Sequence, residues 1–442
     1  MPTDDQLHTI TTDVLATFDW RTPSWAAYWG AVGLCGFVWS LAALVWAYQM
    51  YTGLHITGLT HPVMWGFYIT AFVFWIGIAH SGTLIAAVLF LFRAKWRTSV
   101  ARVAETMTIV AVMTAGLFPI LHLGRPWRFY WLIPYPNERR LWVNFSSPLI
   151  WDAFAIGTYF VVSVLFWYLE LIPDFATVRD QSGGWRHRAF RWLALGWAGT
   201  AAEWKHLHTA YSVLAALITA LVVSVHSIVS WDFAAAIVPG WHSTIFAPYF
   251  VAGAIFSGLA MVLTLLIPGR YLLGITEYVT VDHLEKLAKL VLTLSLILTY
   301  SYASEFFFAW YKGDPYDRAQ YLFRIRGTYA PFFWLTVVCN SIVPLLLFSA
   351  SVRRSLGALF AISIVINVGM WTERLVIIVA SLAHEYNPDS WRVYAPTLFE
   401  WTILIGSAAW FLFWFLLLIG HVPSVPIAET KQHVLSRGAA EA

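Results

Sequence analysis

Apolar residues in this chain gather into long uninterrupted runs rather than alternating or amphipathic patterns. Ten runs reach the roughly 20 mostly apolar residues that an α-helix needs to cross a bilayer. They are Pro23–Tyr51, Pro62–Phe92, Val103–His122, Pro148–Leu171, His208–Trp231, Phe246–Pro268, Lys289–Tyr311, Pro331–Ser351, Gly357–Ala383 and Glu400–Gly420. The first, second, fifth, sixth and eighth contain no Asp, Glu, Lys or Arg. No residue-by-residue alternation of the outer-membrane barrel kind appears. The pattern predicts an all-α polytopic membrane protein. The second to fifth and the sixth to ninth helices are expected to form two four-helix bundles, flanked by the first and tenth. A transmembrane domain of residues 23–421 would then lie between a polar N-terminal segment, 1–22, and a short flexible tail, 422–442.

Composition agrees with the pattern. Hydrophobic residues make up 59% of the 442 positions and charged residues 12%, against about 25% charged in a soluble domain. The two cysteines, Cys35 and Cys339, are far apart, so no disulfide framework, CxxC zinc site, cysteine-held iron–sulfur cluster or CxxCH haem attachment is expected. The net charge of +3 does not suggest a nucleic-acid partner. The segment before the first run lacks the basic start and short apolar core of a cleaved signal peptide. With the N-terminus inside, 17 Lys and Arg fall on inside segments and 9 on outside ones, which predicts both termini in the cytoplasm. The outside cations form two clusters, Arg125–Arg140 and Lys312–Arg326, which suit an extracytoplasmic partner. Between the fourth and fifth helices, residues 185–192 are expected to form a helix on the inner membrane surface.

Ionisable groups within the runs carry the chemistry, because a charge at the bilayer centre costs roughly 2.5–3.5 kcal/mol on insertion scales. Those singled out are His80, Glu105, Asp152, His226, Glu305, Glu373, Arg374 and Glu400. His122 ends the third run and Asp152 sits one turn into the fourth, 30 residues on. Antiparallel neighbours would place both near the outer face. An imidazole and a carboxylate together there make a proton acceptor suited to hydroquinone oxidation. Trp127, Tyr130, Trp131 and Trp151 could cradle a planar ring. The bland alternative is a helix-end histidine and an N-terminal-turn carboxylate favoured by the dipole. His80, with Glu105, is either a proton relay or a histidine bonded between packed helices. Glu373 and Arg374 read as an internal ion pair, and Glu305 and Glu400 as groups near the outer face. Bis-histidine haem is disfavoured: His61 and His80 are 19 residues apart and His208 and His226 are 18 apart. His206 and His208 point to different sides of a helix.

These residues resemble the NrfD/polysulfide reductase membrane-subunit family, and look most like the quinol-binding (ActC) subunits of alternative complex III. The resemblance rests on His61-Pro-Val-Met-Trp-Gly66, Phe74-Trp-Ile-Gly-Ile-Ala-His80-Ser-Gly-Thr83, and Phe92-Arg-Ala-Lys-Trp-Arg97. It continues through Gly116-Leu-Phe-Pro-Ile-Leu-His122-Leu-Gly-Arg125-Pro-Trp127 and Tyr130-Trp-Leu-Ile-Pro134-Tyr-Pro-Asn137. Ser147-Pro-Leu-Ile-Trp-Asp152 and Asn367-Val-Gly-Met-Trp-Thr-Glu373-Arg374 complete it. It covers about residues 20–420. Ser81 stands after His80 where Ala is expected. The resemblance implies a menaquinol or ubiquinol site near the periplasmic face, centred on His122 and Asp152. It implies electron transfer to an iron–sulfur or molybdopterin-like extracytoplasmic subunit, then to c-type haem subunits. A second related membrane subunit is also implied. Proton conduction through His80, Glu105, Glu305, Glu373 and Arg374 is a weaker implication.

The resulting expectation is a bacterial inner-membrane subunit of a quinol:electron-acceptor oxidoreductase, with no haem or iron–sulfur cluster of its own. His122 accepts a proton that Asp152 orients, and Arg125, Trp127, Tyr130 and Trp151 shape the quinol mouth. The rivals are a quinone-reactive anchor for a molybdenum-type reductase, a transporter and a passive scaffold. Against a transporter, the prolines within the runs lie near their ends apart from Pro119 and Pro344.

Overall fold

A computed structural model describes residues 4–16, 24–133, 135 and 145–441. Pro23, Pro134, Asn137 and Arg140 of the sequence reading lie outside the described residues. Among the described residues, ten helices are long and apolar enough to span a membrane. In chain order the helices are α1 (Asp4–Ala16), α2 (Trp25–Thr52), α3 (Gly66–Leu91), α4 (Thr98–His122), α5 (Pro148–Gln181), α6 (Gly184–Leu193), α7 (Ala201–Ala234) and α8 (Phe246–Leu272). They continue as α9 (Val281–Lys312), α10 (Pro315–Arg326), α11 (Ala330–Phe348), α12 (Leu356–Ala383), α13 (Leu398–His421) and α14 (Ile427–Glu441). In hydrocarbon each backbone N–H and C=O must be satisfied within its own segment, so the apolar runs become helices.

Helices α3, α4, α5 and α7 form one bundle, and α8, α9, α11 and α12 form the other, as expected. The bundles meet along α3, α7, α8 and α12. Helices α3, α4, α8 and α12 are mostly enclosed, whereas α2, α5, α7 and α11 turn much of their surface outward. The flanking helices α2 and α13 pair with each other, and α13 lies against α4 and α3. α6 folds back along α5, burying Phe190 against Phe175 and exposing Trp185 and Trp192. The expected helix at 185–192 is thus formed.

Several helices outrun their apolar stretches. α5 ends at Gln181 rather than Leu171, and α7 begins at Ala201 rather than His208. At 1.5 Å per residue, 34 residues measure about 51 Å, well beyond a hydrocarbon core of about 30 Å. The α7 extension is held by a capping box in which Thr200 and Glu203 satisfy each other's backbone N–H groups. The tail departs from the expectation of flexibility. Ser424, Val425 and Ile427 are almost wholly buried, and α14 packs on α1 and α5. Both ends of the chain therefore lie on one face, called here the terminal face.

Two glycines set the closeness of the core. A Cβ on Gly82 of α3 would stand 2.1 Å from the Ala104 carbonyl oxygen of α4. One on Gly258 of α8 would stand 1.3 Å from Ser81 Oγ of α3. Small residues of this kind let helix backbones approach in membranes. Gly82→Ala should cost about 1–3 kcal/mol by overpacking and lower the thermal midpoint in detergent. Gly116→Ala on α4, with nothing within 4 Å of its Cβ, should leave the midpoint unchanged or raise it. Equal midpoints for the two variants would refute the close-approach account.

Candidate functional site

Polar groups in the helical interior gather at three levels in the first bundle and one in the second. Each level is built by residues from different helices, so chain order alone does not reveal it.

The level nearest the face opposite the termini holds His122 and Asp152. His122 ends α4, with its Nδ1 buried and without a hydrogen-bond partner. Its ring lies 6.4 Å from the Tyr68 ring, edge to face. Tyr68 donates to Gln49 Oε1 at 2.5 Å, and Gln49 Nε2 donates to the Leu121 carbonyl at 3.4 Å. Asp152 sits in the first turns of α5 and is buried. No direct hydrogen bond or ion pair joins it to His122. Its carboxyl meets that of Asp232 on α7. Ionised carboxylates only accept hydrogen bonds, so contact between two of them calls for a proton on one. The Oδ1 atom of each is buried without a partner. Asp232 was missed in the sequence because the fifth apolar run stops at Trp231. The helix in fact continues one turn, to Ala234.

Two cavities flank this level. Trp151 and Trp231, the immediate neighbours of the two aspartates, stand 6.1 Å apart edge to face. With Ala234, His242, Thr244 and Ala247 they line a cavity of about 610 Å³. A second cavity of about 300 Å³ is almost wholly apolar and lies between α2, α4 and α13. Trp39, Trp46, Phe118, Leu121 and Trp410 line it, and Leu121 adjoins His122. The other proposed mouth residues sit further out. Arg125 starts the short Pro126–Leu132 helix, on which Trp127 and Tyr130 are exposed. Arg128 stacks over Trp131 at 4.6 Å.

At mid-depth, His80 of α3 and His226 of α7 meet through their Nδ1 atoms at 3.0 Å. Both rings are fully buried, and each Nε2 lacks a partner. Tyr159 packs 4.5 Å from the His80 ring and is bonded to Thr83 and the Ala79 carbonyl. The sequence marked both histidines but not their pairing. Nearest the terminal face, Glu105 accepts from Tyr211 at 3.2 Å and joins a cluster with Arg97, Arg102, Glu170 and Asp174.

In the second bundle, Glu373 and Arg374 form the expected ion pair at 3.0 Å. Tyr302 donates to Glu373, and Asn340 adds a bond at 3.3 Å. A wide helical turn, Val338–Ile342, carries Asn340, and another, Val376–Ala380, follows the ion pair. Such turns are frequent at functional sites. Glu305 lines a small cavity with Glu373 and Arg324. Arg374 reaches the seam, 4.3 Å above the Phe250 ring of α8. Glu400 has a structural task instead. It accepts from the N–H groups of Gly58 (2.7 Å) and Thr397 (2.9 Å) and from the Tyr394 hydroxyl (2.6 Å), capping α13. Among the described residues, no group of three or more His, Cys, Asp or Glu is arranged to hold a metal ion.

A family model described as "Polysulphide reductase, NrfD" matches residues 55–384. Three curated proteins align over most of their length. A protein of Halobacterium salinarum, provisionally named as a dimethyl sulfoxide reductase membrane subunit, is 27% identical, covering 85% of this chain and 87% of its own. The Hdr-like menaquinol oxidoreductase integral membrane subunit of Archaeoglobus fulgidus is 22% identical, covering 82% and 86%. A selenate reductase subunit of Mesobacillus selenatarsenatis is 23% identical, covering 83% and 88%.

The loop after α7, which supplies His242 to the larger cavity, is anchored by Asp317 of α10. Asp317 accepts from the Gly240 N–H at 2.9 Å and from Lys312 at 2.8 Å, with His242 at 4.0 Å. Burial pushes its carboxyl up, but Lys312 and the Gly240 N–H outweigh this and hold it below the usual range. Its contribution is therefore present above the unfolded value of about 3.9 and lost as pH falls through the lower folded value. Asp317→Asn should lower hydrogen-exchange protection of residues 235–245 at neutral pH. After correction for intrinsic rates, the difference from the unmodified chain should begin to shrink below about pH 4 and vanish only once the lower folded value is passed. Equal protection at neutral pH would show that Asp317 does not anchor the loop.

Proposed function

The chain belongs to the NrfD, polysulphide reductase family, and on that premise we propose that it is the quinol-oxidising membrane subunit of a respiratory oxidoreductase complex. The observation that carries this reading is that His122 Nδ1, buried without a hydrogen-bond partner, and the buried Asp152–Asp232 carboxyl pair lie at one membrane face. Beside them lie a tryptophan-walled cavity and an apolar one. A hydroquinone offers two hydroxyl donors, an aromatic ring and an apolar tail, which these features suit. The donor set therefore fits menaquinol or ubiquinol as substrate.

In this reading His122 Nδ1 accepts one quinol proton, while the Asp152–Asp232 pair takes up or passes on the second. A general base of this kind contributes about 10²–10⁴-fold to a rate. The sequence placed Asp152 behind His122 as its orienting carboxylate. The carboxyl pair now suggests that Asp152 works with Asp232, and Gln49 and Tyr68 hold the α4 end that carries His122. The two electrons leave to an iron–sulfur partner on the same face, to which Arg125, Arg128 and the exposed Trp127 and Tyr130 offer a docking surface. The orientation assigned from Lys and Arg makes that face periplasmic and the terminal face cytoplasmic, in a bacterial inner membrane. Relatives named for dimethyl sulfoxide and selenate reductases support a molybdenum-type partner as the second reading. The alternative complex III reading takes the electrons on to c-type haem subunits, beside a second membrane subunit of this family. Metal and haem content of the purified complex separates the two.

The first bundle's three levels, from Asp152–Asp232 through His80–His226 to Glu105, also suggest a route for protons. Glu305, Glu373 and Arg374 form a separate set in the second bundle.

His122→Ala and Asp152→Asn should each lower quinol oxidation by about 100-fold or more in complexes of full subunit stoichiometry. Asp152→Asn combined with Asp232→Asn should be little worse than either alone, as for residues acting as one unit. Unaltered rates in fully assembled variants would sink the assignment and leave these residues a structural role.

A further inference from the structure

The terminal face holds an ionic cluster of which the proposed function uses only Glu105. It draws on four separate stretches of chain. Arg97 precedes α4 and Arg102 lies in its first turns. Glu170 and Asp174 sit one turn apart on α5, Tyr211 is on α7, and Glu429 is on α14. Arg97 bonds Glu170 at 3.1 Å and Tyr211 at 2.9 Å, and pairs with Glu429. Arg102 bonds Asp174 at 2.8 Å and approaches Glu170 at 3.7 Å. Thr98 donates to Glu429 at 3.3 Å. The Ile427 backbone N–H donates to Asp174 at 3.1 Å.

Charge counting shows a surplus of acid. Glu105, Glu170, Asp174 and Glu429 face two guanidinium groups, with Lys431 and His208 at the rim. Even with Lys431 counted, four carboxyls meet three fixed cations. Glu105 and Glu170 also touch carboxyl to carboxyl, a contact that calls for a proton on one of them. Glu105 is fully buried, and one oxygen of each, Oε2, has no hydrogen-bond partner. An unpaired buried carboxylate is costly enough that the group holds its proton instead.

The same place has a cover. A cavity of about 350 Å³ leads to Glu170, Asp174 and Tyr211, and its other wall is the C-terminal segment, from Pro426 through Glu429 and Lys431 to Leu435. That segment is fastened by the Asp174 and Arg97 contacts and by the burial of Val425 and Ile427. Burial pushes the Glu429 carboxyl up in spite of the Arg97 charge.

We propose that the Glu105–Glu170 couple is a proton-holding site and that the C-terminal segment is the cover controlling its exchange with water on the terminal face. The ligand is a single proton shared between two carboxyl oxygens. It comes from and returns to water, and no oxidation or reduction is involved. The inference goes beyond the quinol reading and stands without it.

Infrared difference spectroscopy on the purified complex tests it. The unmodified complex minus the Glu105→Gln complex should show a protonated-carboxyl band at neutral pH. Transfer to heavy water should shift that band slowly. In a chain ending at His421, exchange should be faster by about tenfold or more. Glu429→Ala, which leaves the segment in place but removes its Arg97 contact, should give a smaller acceleration and decides the matter where the truncated chain fails to assemble. Absence of the band would overturn the proton-holding site. Unchanged exchange in Glu429→Ala and in any assembled truncated chain would overturn the cover.

Discussion

An ionisable side chain inside a membrane must find a counter-charge, hydrogen bonds or a proton, because hydrocarbon offers no water to solvate it. That constraint arranges the interior of this protein. Glu373 is matched by Arg374, Asp174 by Arg102, Glu170 by Arg97, His80 by His226, and Asp152 by Asp232. No pair is made by residues close in sequence except Glu373–Arg374. Each of the others ties two distant stretches of the chain together, so satisfying the polar groups and fixing the helix arrangement are one requirement. A pair of this sort adds little stability over a well-packed apolar pair, but losing one partner strands the other.

Satisfaction is incomplete in an informative way. His122 keeps a buried nitrogen without a partner, and both aspartates of the outer pair keep a buried oxygen. Native interiors leave few such atoms, and each asks for an explanation. Glu400 shows the contrast. It sits at the same face, equally buried, yet three donors saturate it. A group whose capacity is spent on the fold has none left for a ligand, and that separates Glu400 from its neighbours better than depth or charge does.

The ten spans and the two bundles could be read from the chain because bilayer thickness imposes a length of apolar sequence. The ends could not. Counting apolar residues stops at the first charges, whereas α5 and α7 run past them, capped and paired at the membrane surface. Glu170, Asp174 and Tyr211 lie in or beside those extensions, and Asp232 lies one residue past a predicted boundary. Glu170 and Asp174 stand four residues apart, on one helical face, but were not singled out in the sequence. The Arg97 and Arg102 that meet it looked like ordinary loop cations, because their partners come from more than 70 residues away. The docked tail was misread for a similar reason: its burial depends on a groove made by α1 and α5.

Arg374 stands at the seam between the bundles, held by Glu373 on one side and the Phe250 ring on the other. The carboxylate offsets most of the guanidinium's charge at a distance, so the couple presents a dipole whose positive end faces that ring. Packing and the bonds from Tyr302 and Asn340 to Glu373 fix the dipole's direction. A membrane protein lives under a transmembrane voltage, and a dipole held this way gives the seam a polar group that does not have to turn when the voltage changes.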